Sequence, residues 1–175
     1  KDRGKGKNSN YALQYSCGIK TLARTAGVSE AVAKKISKAY KSMNWSIDKI
    51  AADQVVKKVS HGTYQLNQFN GIWYHLKTDK DRFSTLVQGT GSYVLDLWLG
   101  FQFNLRKDPK YGIGVDGANL LATAHDEQII EFKEEFKDNV KSLIEDSLNK
   151  VNDRFKLEIP FGCDVQFGSN YSQIH

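Results

Sequence analysis

Cysteine, proline and methionine are scarce in this chain: among 175 residues there are two Cys, two Pro and one Met. Cys17 and Cys163 lie far apart and neither belongs to a C-x-x-C pair. A disulfide framework and a thiolate zinc site are therefore excluded as organising devices, and a reducing, intracellular setting is expected. No apolar run approaches the roughly 20 residues that a membrane span requires. The opening, KDRGKGK, is no secretory leader. It also lacks Met, as expected of a processed product or a piece of a longer polypeptide. Acidic residues are scarce at one end: residues 1–60 hold 13 Lys+Arg and 4 Asp+Glu, whereas 61–175 hold 12 and 16. A basic lobe followed by a mildly acidic one suggests a polyanion partner for the first.

What is present suits a globular protein. Hydrophobic residues make up 40% and charged residues 26%, enough for one well-buried domain or two small lobes. Residues 3–17 predict a helix that Gly18 stops. IKTLARTAG predicts a second, ending at Gly27. Ser29 caps a third over EAVAKKISKAYKSM. A fourth starts near Ser46, with Ile47, Ile50, Ala51, Val55 and Val59 as its apolar face. Residues 1–60 are thus expected to be all-helical. GTYQLNQFNGIWYHL predicts a hairpin turning at Asn70–Gly71. Residues 79–106 return to helical periodicity. GANLLATA and EQIIEF predict two strands joined tightly through His125 and Asp126. KEEFKDNVKSLIEDSLNKVNDRF predicts a long helix, and LEIPFGCDVQFG a last strand. The fold class expected is α+β, a helical lobe (1–60) followed by a lobe (61–175) with a small antiparallel sheet and long helices.

Two constellations carry chemistry. Arg3, Lys7, Tyr11 and Tyr15 are spaced by four and so share one broad helix face. Cations near a helix N-terminus suit phosphates, and an aromatic ring one or two turns on suits a sugar or base. The competing reading makes the tyrosines ordinary core residues of a Lys-rich helix. The second constellation is His125–Asp126–Glu127 at a hairpin tip. Hard carboxylate oxygens on a tight turn suit a divalent cation such as Mg²⁺. The competing reading is a plain polar turn.

RGKGKNSNYALQYSCG resembles motif B of the family A DNA polymerases, the DNA polymerase I type, with pattern R-x3-K-x3-(F/Y)-x3-Y and a Gly three residues on. AHDEQIIEF resembles their motif C. FSTLVQGTGSYVLDLWL resembles their long palm helix, and the ending FGSNYSQIH resembles the tail of phage replicative members. The resemblance covers essentially the whole chain. It implies a fingers lobe and part of a palm, and template-directed transfer of a nucleotide from a dNTP to a primer end. Arg3 and Lys7 would bind the triphosphate, Tyr11 would pack on the sugar and base, and Tyr15 would guard the template base. Gly18 would let the template approach, Gln88 would contact primer-template DNA, and Ser84 stands where an Asn does so in the family. Asp126 would bind catalytic Mg²⁺, Glu127 would support the metal site, and His125 would hold the turn and approach the primer. A Tyr rather than a Phe at position 11 goes, in this family, with tolerance of a sugar lacking its 3′-hydroxyl.

The departures are specific. No stretch resembles the family's motif A, whose Asp shares the two metals, and none resembles the proofreading exonuclease or the thumb. Ser16 replaces a frequent Gly, and the hairpin tip NQFNG lacks the basic residues common nearby. The partners implied are primer-template DNA, dNTPs, the remainder of the polymerase and a processivity or replisome factor, with no membrane and with the cytoplasm, a bacterial host's if phage-encoded, as the setting. Single-subunit RNA polymerases share the R…K…Y helix and an HD turn; Tyr11, Glu127 and His175 favour the DNA enzyme. A non-catalytic nucleic-acid-binding domain, or half of a naturally split polymerase, are the other readings.

Overall fold

The computed structural model describes residues 3–114, 116–124 and 126–174. They form an α+β fold whose chain divides into two compact units, one running to Thr90 and the other starting at Gly91.

The first unit opens with four helices: α1 (Arg3–Gln14), α2 (Ile19–Ala26), α3 (Glu30–Met43) and α4 (Trp45–Ala52). Local chemistry sets most of their ends. Gly27 takes the left-handed conformation that closes α2. The Ser29 hydroxyl accepts from the Val32 amide at 3.4 Å and caps α3. Leu22, Ala23 and Ala33 form the core here, with Leu13, Cys17, Ile19, Val28 and Ile36 packed around them.

The expected fourth helix is too long by a strand. It stops at Ala52, and Val56–Val59 forms strand β1. The β-branched run Val55, Val56 and Val59 loses side-chain freedom in a helix and fits a pleated sheet better. Residues 1–60 are therefore not all-helical. β1 pairs antiparallel with β2 (Gly62–Asn67), which pairs with β3 (Ile72–His75), in the order β1-β2-β3. The β2–β3 hairpin turns at the predicted Asn70–Gly71.

One face of this sheet lies on the first part of α5 (Arg82–Leu105). Gln65 Nε2 donates to the Arg82 carbonyl at 2.9 Å, and Asn67 Nδ2 to Thr90 Oγ1 at 3.0 Å. Gly89 is what allows so close an approach. A Cβ there would meet Tyr74 Cζ at 2.9 Å and Cε2 at 3.0 Å. Gly89→Ala is expected to destabilise the chain by roughly 1–3 kcal/mol, the usual cost of overpacking. A lower urea midpoint with an unchanged slope would show it.

The second unit holds the rest of α5, strands β4 (Ala118–Ala124) and β5 (Glu127–Phe132), and α6 (Lys137–Phe155). β4 and β5 form a two-stranded antiparallel sheet, with a register shift between Leu120 and Ala122. Tyr111, Ile113, Ala118, Val140 and Leu143 are its buried core. Asp146 on α6 accepts from Lys110 Nζ at 2.7 Å and from the Tyr111 hydroxyl at 2.8 Å. Those two bonds hold its carboxyl below the usual carboxylate range.

The expected last strand is absent: residues 157–170 are irregular among the described residues. Pro160 has no amide to donate. Asn152 on α6 instead clamps Phe161, its Nδ2 donating to the Phe161 carbonyl at 3.0 Å and its Oδ1 accepting from the Phe161 amide at 2.8 Å. Phe167 then meets Phe132 edge to face, ring centres 5.7 Å apart. No helix among the described residues is long and apolar enough to cross a membrane.

Candidate functional site

The first constellation stands on α1. This helix buries none of its residues fully. Leu13, with Cys17 just beyond the helix, turns toward the core, which leaves the row Arg3, Lys7, Tyr11 on the outer side. Tyr11 is 48% exposed and Tyr15 41%, so neither is a core residue. The Lys7 ammonium lies 5.8 Å from the Tyr11 ring centre, a cation–π contact that holds the two side chains together. The first turn carries no acidic residue. Cations thus stand at the helix end whose dipole favours an anion, with Asp2 immediately before them in the sequence.

The stop of α1 differs from expectation and accounts for one departure from the family pattern. Gly18 does not end the helix; it is the N-cap of α2, with φ −70°. α1 closes at Ser16, whose φ is +56°. The Ser16 amide donates to the Leu13 carbonyl and the Cys17 amide to that of Ala12, both at 2.9 Å, the paired bonds of a left-handed helix stop. This is the conformation glycine adopts without penalty, so a Gly there is the local optimum. Ser16→Gly is expected to raise the Tm by about 2 °C: relief of roughly 1 kcal/mol of left-handed strain is partly offset by glycine's greater freedom when unfolded. A fall in Tm would argue against the strain. Gly18 itself faces open space: among the described residues, its two chain neighbours aside, none comes within 4 Å of where a Cβ would stand.

The other proposed DNA contacts of this unit lie on α5. Gln88 is exposed. Ser84 is occupied differently: its hydroxyl donates to the Asp81 carbonyl at 2.9 Å, at the start of the helix.

The second constellation stands at the β4–β5 turn. Ala124 pairs with Glu127, so the turn between them is as short as a hairpin allows. His125 lies outside the described residues. Asp126 is exposed at the tip and Glu127, half-buried, opens β5. One residue that the sequence reading missed holds this hairpin: Gln102 on α5 donates to Gln128 Oε1 at 2.7 Å. Trp98 ties α5 to α6, donating through Nε1 to Ser147 Oγ at 2.8 Å and to the Ile144 carbonyl at 3.1 Å. A polar residue recurring on the apolar face of a predicted helix was the available signal for Gln102, which is 8% exposed. Asp126, Glu127, Trp98, Asp164 and Phe167 line part of a cleft of about 440 Å³.

Among the described residues no group of three or more His, Cys, Asp or Glu side chains could by itself hold a metal ion. The donor set nevertheless fits Mg²⁺. That ion usually takes only one or two protein carboxylates and keeps water and phosphate for the rest.

The first unit thus presents cations and then aromatics along α1, and the second presents an acid-tipped hairpin. The pattern of one protein family, DNA polymerase family A, matches residues 1–173. The chain belongs to that family. It is also 28% identical over 166 residues to "DNA polymerase I" of Aquifex aeolicus (strain VF5). That match takes in 91% of this chain and 28% of the relative, so the chain spans little more than a quarter of the relative's length.

Proposed function

We propose that this chain supplies the nucleotide-gripping fingers and part of the palm of a template-directed DNA polymerase. The observation that carries the reading is the exposed row on α1. Arg3 and Lys7 hold the triphosphate of the incoming dNTP, Tyr11 packs on its sugar and base, and Tyr15 guards the template base. The row runs roughly 12 Å from Lys7 to Tyr15 at ~1.5 Å per residue, a length suited to a nucleoside triphosphate. Gly18 leaves room for the template and Gln88 contacts the duplex. Ser84, with its hydroxyl given to Asp81, contributes there mainly through α5's geometry.

On the second unit Asp126 holds Mg²⁺, Glu127 supports it, and His125 approaches the primer. Bound divalent metal lowers the pKa of the primer hydroxyl and offsets charge on the leaving pyrophosphate. This chain's own part is positional and electrostatic. Arg3 and Lys7 neutralise phosphate charge as it develops. The pairing of Ala124 with Glu127 sets where Asp126 stands at the hairpin tip. The second metal-binding carboxylate comes from a further polymerase segment.

One observation favours a separate docking of that segment. In the second unit Phe103 is 66% exposed, Leu120 49% and Leu121 60%. They stand at an apolar groove of about 400 Å³ or beside it. Exposed apolar side chains so close together mark an interaction surface. Mixing this chain with a segment carrying the missing acid, the thumb and the exonuclease should restore Mg²⁺-dependent primer extension with deoxynucleotides. Preference for ribonucleotides would transfer the reading to a single-subunit RNA polymerase. A correctly assembled but inactive mixture would leave only a nucleic-acid-binding module.

A further inference from the structure

The central strand of the β1-β2-β3 sheet is built inside out. Antiparallel sheets with one solvated face ordinarily place apolar residues inward and polar ones outward. Here the inward positions of the central strand are Gln65 and Asn67, each 1% exposed, with their amides bonded to α5. Tyr74 joins them on that side, its hydroxyl donating to the Gly89 carbonyl at 3.3 Å. Strand alternation then sends Tyr64 and Leu66 to the opposite face. Their cross-strand partners share it: Lys57 and His75 stand opposite Tyr64, and Trp73 opposite Leu66.

That outer face is an ordered array of rings and cations. Tyr64 lies edge to face with His61 at 5.6 Å and with His75 at 5.5 Å. The Lys57 ammonium sits 5.9 Å from the Trp73 ring centre. Trp73 is 43% exposed, and Lys57, His61 and His75 are exposed. Gly62, with φ +151°, makes room for the array, since a Cβ there would come within 3.0 Å of His75 Nε2. Lys57 is the β1 cation on this face; Lys58 alternates to the other side, where its charge acts on Asp79.

We propose that this face binds single-stranded nucleic acid, with bases stacking on Trp73 and Tyr64 and phosphates meeting Lys57. Flat rings accept any base, and a neighbouring ammonium both strengthens the ring contact and neutralises the backbone. A purely apolar protein partner would leave the Lys57 ammonium to be desolvated without an opposite charge. None of the residues named on this face is acidic, which favours a polyanion instead. The site is separate from the α1 row and needs no catalysis, so it stands or falls independently of the polymerase reading.

The test is fluorescence anisotropy of a labelled oligo(dT) of about 12 nucleotides, within the range such surfaces cover, titrated with the full chain. Wild type should bind with an affinity that falls as salt rises. Trp73→Ala should weaken binding at least about fivefold, the loss expected of one stacked ring, while Trp73→Phe keeps most of it. Lys57→Ala should lower the salt slope by about one. Met43→Ala, at an exposed residue on α3, should change neither. An oligonucleotide carrying 5-iodouracil should cross-link within residues 61–75, which supplies a readout in the unmutated protein. Equal affinity of wild type and a folded Trp73→Ala overturns the proposal, as does cross-linking confined to other segments. So does a Trp73→Ala effect seen only on self-association, which would make the face a contact between copies.

Discussion

Asp126→Ala is expected to lower Mg²⁺-dependent primer extension by the assembled polymerase about 10³-fold or more, while leaving the stability of the chain nearly unchanged. The two halves of this expectation have different causes. A metal-bound carboxylate contributes several kcal/mol of transition-state stabilisation, and each 1.36 kcal/mol is tenfold in rate. The side chain is exposed at the tip of the β4–β5 hairpin, where it fills no core space. Substitutions at such surface positions usually shift stability by less than about 0.5 kcal/mol. Rates should therefore collapse while the urea midpoint holds. Single-turnover extension with saturating dNTP would check it, because a loss confined to kcat separates chemistry from binding. An active Asp126→Ala enzyme would end the assignment of this carboxylate. A variant with a lowered midpoint would show that the turn is structural instead.

The second large effect is expected at Tyr11. The assembled enzyme should use dideoxynucleotides readily, and Tyr11→Phe should discriminate against them by roughly tenfold to a hundredfold. A dideoxynucleotide leaves the position of its missing 3′-hydroxyl without a polar group. The phenolic oxygen of Tyr11 can take that place, and losing a partner for a buried polar group costs about 1–3 kcal/mol. Tyr11 is half exposed on α1 and held by Lys7 through its ring, a contact that Phe retains. The substitution should thus spare both the helix and natural dNTP use. Competition of a dideoxynucleotide against its dNTP, read as a ratio of kcat/KM, isolates the effect. Equal ratios in both forms would remove the hydroxyl from the selectivity step.

Most elements were legible because their signals are local. Gly27, Ser29 and the Asn70–Gly71 turn each act within a few residues of themselves, through backbone conformation or a cap. The helical periodicity of residues 82–105 and 137–155 is equally short-range. The two misread strands have one common cause. Val56–Val59 extends a helical apolar pattern, but its partner strand lies beyond the next turn. The segment after Phe155 has strand-like composition, but Asn152 satisfies the Phe161 backbone from outside. At both places a partner in space outweighed the pattern along the chain.

The candidate site divides the same way. By itself the sequence determined the spacing of Arg3, Lys7, Tyr11 and Tyr15, and the acids beside His125, because both patterns lie within one helix or one turn. Only the tertiary structure decided which faces are available. α1 could have buried its tyrosines; Leu13 and Cys17 take the core side instead. The strand sequence GTYQLN alternates polar with apolar but does not say which set points inward. α5 decides it, by offering the Arg82 and Leu86 carbonyls and the Thr90 hydroxyl to Gln65 and Asn67. Buried amides must find partners, and those partners are many residues away along the chain. Once they are found, Tyr64 and Trp73 can only turn outward.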